Sequence, residues 1–137
     1  MSYNQFLKDL NINMMFENIA ADKICVRNHV TVLETCDNYK YDFKTDDNIT
    51  FEVKTDKMSN ITGNYYIEFL GRNEKPSCIS ITEADYYIIT NTIDYYMIKT
   101  SKLKKLCANQ PVKTLKDKSS SGFIIPCILL IKNSIQI

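Results

Sequence analysis

Hydrophobic and polar positions alternate with a period of two along two neighbouring stretches of the chain. In Tyr39-Lys40-Tyr41-Asp42-Phe43-Lys44 the aromatic residues take one side and the charged residues the other. In Ile49-Thr50-Phe51-Glu52-Val53-Lys54 the residues Ile49, Phe51 and Val53 alternate with Thr50, Glu52 and Lys54. This period marks strands with one buried face, and the short polar segment between them predicts a hairpin. If Asp46-Asp47-Asn48 is a three-residue loop, Thr45 pairs with Ile49, Lys44 with Thr50 and Asp42 with Glu52. Asn48 tolerates the left-handed backbone that such loops require. The carboxylates of Asp42 and Glu52 then lie side by side, with Cβ atoms about 4.5–5.5 Å apart. Like charges so placed are destabilising unless a cation neutralises them. A loop of two or four residues breaks this pairing.

On the N-terminal side, residues 2–24 read as helix, interrupted near 11–13. Leu10, Met14, Glu17, Ala21 and Ile24 fall on one helical stripe. Glu17 is the anomaly on it, either a carboxylate reaching to water from the stripe edge or a helix-borne acid aimed at Asp42 and Glu52. Residues 29–36 read as a strand, with His29, the sole histidine, in a structural place at its start. One histidine supports neither a histidine triad nor a histidine-based zinc site, which removes most hydrolases that depend on a histidine base.

Beyond the hairpin, 55–62 reads as polar loop, 65–70 as a strand and 71–76 as a turn punctuated by Gly71 and Pro76. Residues 82–85 suggest a helical turn capped by Thr82. Strands at 86–90 and 95–99 pair across 91–94. Ser101 opens a basic helix to about 108, with Leu103, Leu106 and Cys107 inward and Lys102, Lys104 and Lys105 outward; Pro111 ends it. Residues 112–122 read as loop and 123–132 as a closing strand, in which Pro126 argues for an edge position or a bulge. Each of the tyrosine pairs 65/66, 86/87 and 95/96 is expected to put one ring in the core and the other outside.

At 137 residues the chain predicts a single domain, 1–137, with a normal core. Net charge is only +1, but its distribution is uneven. Residues 34–56 hold seven acids and three lysines, and residues 99–118 hold seven lysines and one acid. An acidic centre beside a basic flank suits a metal site acting on a polyanion; a solvated basic face is the plainer alternative. The five cysteines form no CxxC pair, which points to reduced thiols in an intracellular compartment. No signal-peptide pattern opens the sequence, and the longest apolar run, 123–131, is nine residues with Pro126 inside it. That is too short for a membrane-spanning helix.

Glu17 on a helix, Asp42 on a strand and Glu52-Val53-Lys54 on the next resemble the PD-(D/E)XK nuclease superfamily. The later segments Asn64-Tyr65-Tyr66-Ile67-Glu68-Phe69, Lys75-Pro76-Ser77-Cys78-Ile79-Ser80, Thr82-Glu83-Ala84-Asp85-Tyr86-Tyr87 and Ser121-Gly122-Phe123-Ile124-Ile125-Pro126 resemble its small phage- and virus-type members. The likeness runs from Glu17 to Pro126, with Tyr41 where the family pattern has proline. It implies an α/β fold with a restriction-endonuclease-like αβββαβ core, a central mixed sheet of about five strands flanked by helices. It also implies metal-dependent DNA endonuclease activity on duplex or branched DNA, of a Holliday-junction resolvase, replication-repair or restriction type. Magnesium or manganese would be held by Asp42, Glu52, the Val53 carbonyl and Glu17, with Lys54 orienting water or stabilising charge on the phosphate. Junction cleavage would require a homodimer. Arg72, Lys75 and the basic segment carrying Lys99, Lys102, Lys104 and Lys105 are the phosphate-contact candidates. Glu68 and Asp85 have supporting roles in this reading, and Asp46, Asp47 and Asp56 are turn residues. The different-class alternative is a non-catalytic nucleic-acid-binding module that retains the fold.

Overall fold

The hairpin forms, in the expected register from its loop as far as Phe43 and Phe51. A computed structural model describes residues 2–36 and 38–137, the side chain of Phe6 excepted. In chain order the elements are α1 (Tyr3–Asn28), β1 (Val32–Thr35), β2 (Phe43–Thr45), β3 (Thr50–Thr55), α2 (Ser59–Thr62), β4 (Asn64–Leu70), β5 (Tyr86–Thr90), β6 (Tyr95–Lys99), α3 (Thr100–Cys107), β7 (Val112–Thr114), β8 (Ser121–Pro126), α4 (Cys127–Lys132) and β9 (Ile135–Gln136). Phe43 faces Phe51 and Lys44 faces Thr50, Thr45 N–H donates to Ile49 O at 3.0 Å, and Asn48 takes φ 64°.

Six strands form a mixed sheet in the order β1-β2-β3-β5-β6-β9. β3 and β5 run parallel, while the β1–β2, β2–β3 and β5–β6 neighbours are antiparallel. The crossover from β3 to the parallel β5 carries β4, the four-residue α2 and two short 3₁₀ turns, where the αβββαβ expectation has a flanking helix. The 65–70 strand is therefore real but lies outside the main sheet, in a second, three-stranded sheet ordered β4-β8-β7.

The core divides between the two faces of the six-stranded sheet. On one, Ala20 and Ile24 of α1 pack on Phe43, Phe51, Val53, Ile88, Tyr95 and Met97. The Phe43, Phe51 and Tyr86 rings stack there with centroids 4.9 and 5.7 Å apart, spacings that stabilise beyond burial alone. On the other face, Tyr87, Ile89 and Ile98 meet Tyr65, Ile67 and Ile125 of the second sheet, Leu103 and Cys107 of α3, and Leu130 of α4.

Several elements differ from expectation. Ser2 caps α1 by accepting from Gln5 N–H at 3.1 Å, and the helix runs unbroken past 11–13 to His29, whose left-handed backbone closes it. At 26 residues it is about 39 Å long and outruns the sheet, so Leu10 and Met14 of the expected stripe stay 44% and 51% exposed. The buried face is instead Ala20 and Ile24, with Phe16, Ile19 and Ala21 partly covered. The strand expected at 29–36 shrinks to β1. Residues 82–85 are not helical; Thr82 accepts from Ala84 N–H and donates to Lys40 O. The expected loops at 55–62 and 112–122 contain α2 and β7, and α3 begins at Thr100 rather than Ser101. The expected closing strand at 123–132 breaks at Pro126, which ends β8 and opens α4. Of the tyrosine pairs, Tyr95 and Tyr96 are both buried. No helix among the described residues is long and apolar enough to cross a membrane.

Candidate active site

Alternation along β3 sends Phe51 and Val53 toward α1 and places Glu52 and Lys54 on the opposite face, across from Tyr87 and Ile89 of β5. Lys54 Nζ lies 3.1 Å from Glu52 Oε1. Glu52 Oε2 is buried with no hydrogen-bond partner among the described residues. Leaving such an atom unpaired costs roughly 1–3 kcal/mol or more, so it is either a strain or a waiting ligand.

Asp42 stands immediately before β2 rather than within it. Its N–H donates to Phe51 O at 2.8 Å, although Phe43 is the residue that faces Phe51. The ladder thus slips by one residue, as at a bulge. The expected side-by-side Asp42–Glu52 ladder pair is replaced by a more specific arrangement. Asp42 Oδ2 accepts from Val53 N–H at 2.6 Å, which anchors the carboxylate over β3. Val53 therefore enters the site through its N–H.

Glu17, on α1, completes the group. Burial, the charges of Asp42 and Glu52, and a hydrogen bond to Asp42 push its carboxyl up to about 7. Burial also raises Asp42, against the opposing effects of the Val53 N–H and Lys54. Glu52 is raised by burial and by Asp42, with Lys54 opposing. Burial disfavours the Lys54 ammonium, but Cys78, Glu52 and Asp42 around it hold it charged, above the usual lysine range. Three acids are thus disfavoured as anions beside one charged lysine, with burial the leading cause in each acid.

The remaining expectations divide. Asp85 is structural, its Oδ2 accepting from Thr50 N–H and Oγ1 at 2.9 and 3.0 Å. Asp56 is a turn residue, its carboxylate accepting from Ser59 N–H and Tyr66 N–H. Glu68 accepts from Ser77 Oγ and Cys78 Sγ at 2.7 and 3.2 Å, on the second sheet. Arg72, Lys75, Lys99, Lys102, Lys104 and Lys105 are all exposed, and none lines the cavity beside Lys54. The residues that sequence reasoning left without a role are Tyr87 and Cys78. Tyr87 OH is buried without a partner among the described residues, on the face that carries Glu52. Its place in the unbroken apolar run Tyr86-Tyr87-Ile88-Ile89 hid it, since such a run signals burial on both faces and no chemistry.

Among the described residues, no three His, Cys, Asp or Glu side chains are already gathered as a ready-made metal cage. The orphaned Glu52 oxygen and the raised carboxylates nevertheless suit a hard cation that takes one or two protein carboxylates and fills its shell from water and phosphate. No protein-family model and no curated protein matches the chain.

Proposed function

We propose that the chain is a metal-dependent DNA endonuclease with a restriction-endonuclease-like core, hydrolysing phosphodiester bonds at Glu17, Asp42, Glu52 and Lys54. The observation that carries this reading is the buried, unpartnered Oε2 of Glu52 beside the Lys54 ammonium and the Glu17–Asp42 pair. Asp42 and Glu52 would hold magnesium or manganese, which supplies Lewis acidity toward the scissile phosphate. Lys54, kept charged by its surroundings, donates to a phosphate oxygen and stabilises charge developing there. Glu17, poised near neutrality, accepts the proton released by the attacking water. The Val53 N–H fixes Asp42, so little reorganisation accompanies the reaction. On a branched substrate two symmetric cuts require a homodimer.

The test offers a four-way junction, a linear duplex and single-stranded DNA in parallel with magnesium or manganese. Metal-dependent cutting of any of them supports the proposal, and paired nicks on the junction alone specify a resolvase. DNA binding without cutting on all three overturns it in favour of a non-catalytic binding module.

A further inference from the structure

We propose that the cavity beside Lys54 receives the base of one unpaired nucleotide of the substrate strand, so that the enzyme's substrates are DNAs with an unpaired nucleotide next to the bond to be cut. This rests on the nuclease reading. The cavity holds about 840 Å³, within the range of small-molecule pockets. Of the four site residues Lys54 lines it, while Glu17, Asp42 and Glu52 do not, so the cavity adjoins the centre on its lysine side.

Its walls suit a flat heterocycle. Ile67, Ile89 and Ile124 supply apolar surface. The Tyr66 ring is held rigid, since its hydroxyl lies 2.6 Å from Ser120 Oγ. The ring also fills the space over Gly122, where a Cβ would come 2.5 Å from Tyr66 Cζ. A fixed ring of this kind is a stacking platform for any base. Tyr87 lines the same cavity and is fully buried, its hydroxyl without a partner among the described residues. A base edge entering the cavity would give that hydroxyl its missing hydrogen bond. Lys113, exposed and in no ion pair among the described residues, stands at the cavity too and suits a flanking phosphate. A base held in a duplex stack cannot enter such a cavity. Extruding it costs a few kcal/mol, and least where it is already unpaired.

The test is a binding titration in EDTA, where no hydrolysis occurs, with single-stranded oligonucleotides carrying 2-aminopurine at successive positions. Wild type, Tyr87→Phe and Ile124→Phe are compared, each with its melting temperature. The expected result is an emission change at one position that Ile124→Phe abolishes. Tyr87→Phe, with unchanged or raised melting temperature, should weaken affinity for deoxyadenosine monophosphate about fivefold, the worth of one hydrogen bond. A purely structural role for Tyr87 would leave that affinity untouched. Oligonucleotide binding with no responsive position, no binding at all, or both variants binding as wild type would each overturn the pocket. Equal cutting of fully paired and unpaired DNA would overturn the pocket and leave the nuclease standing. A positional response without any cutting would leave the pocket and overturn the nuclease.

Discussion

Glu52 and Lys54, two residues apart on β3, meet at 3.1 Å, while the other carboxylate oxygen of Glu52 is buried without a partner among the described residues. The ion pair satisfies one oxygen of Glu52 and leaves the other without a protein partner among the described residues. Among the described residues Lys54 is the cation paired with Glu52, and it opposes the rise that burial gives the Glu52 carboxyl.

Removing that counter-charge has a pH-dependent cost. Lys54→Met should destabilise the protein by about 1–3 kcal/mol at pH 8, because Glu52 is left as an unpaired, largely buried anion. The loss should shrink at pH 4, where the raised Glu52 takes up a proton. Urea unfolding at the two pH values measures the difference.

Glu17 gives a second pH signature. Its carboxyl lies at about 7 in the fold against an ordinary 4.5, so between those values the folded chain binds more protons than the unfolded one. Stability is therefore full at and below about pH 4.5 and falls as pH rises through 7. Glu17→Gln removes this dependence. The variant should melt higher than wild type at pH 8 and equally at pH 4, as thermal denaturation across that range would show.

A cation seated among these acids relieves the same repulsion. Magnesium or manganese should raise the melting temperature at pH 8 more than at pH 5, where Glu17 retains its proton. The increment should disappear in Glu52→Ala. Thermal denaturation with and without EDTA checks both statements.

Gly122 tests the architecture around the cavity independently of any chemistry. A methyl group there would sit 2.5 Å from the Tyr66 ring, and the ring cannot yield without losing its contact with Ser120. Gly122→Ala should cost about 1–3 kcal/mol. Combined with Tyr66→Ala the cost should be less than additive, and a double-mutant cycle by urea unfolding measures that coupling.

Much of this was legible in the residues themselves. Period-two alternation and Asn48 specify the hairpin register, and two-residue spacing alone puts Glu52 and Lys54 on one face. What alternation cannot convey is partnership. The 65–70 stretch reads as a strand whichever sheet receives it, and in the fold it pairs with β8. The apolar run after Pro126 fits strand and helix equally at its length; it turns helical as α4, burying Leu130. The Asp42 slip is invisible for a different reason, since it depends on one side-chain oxygen reaching the Val53 N–H.

The most direct measurement is the single-turnover rate at which wild type and Glu52→Ala cleave the same DNA with magnesium, binding being measured separately in EDTA. The account predicts metal-dependent cleavage by wild type and a loss of at least about 100-fold in the variant with DNA affinity retained. Equal rates in the two proteins, or no cleavage by wild type on any DNA, would contradict it.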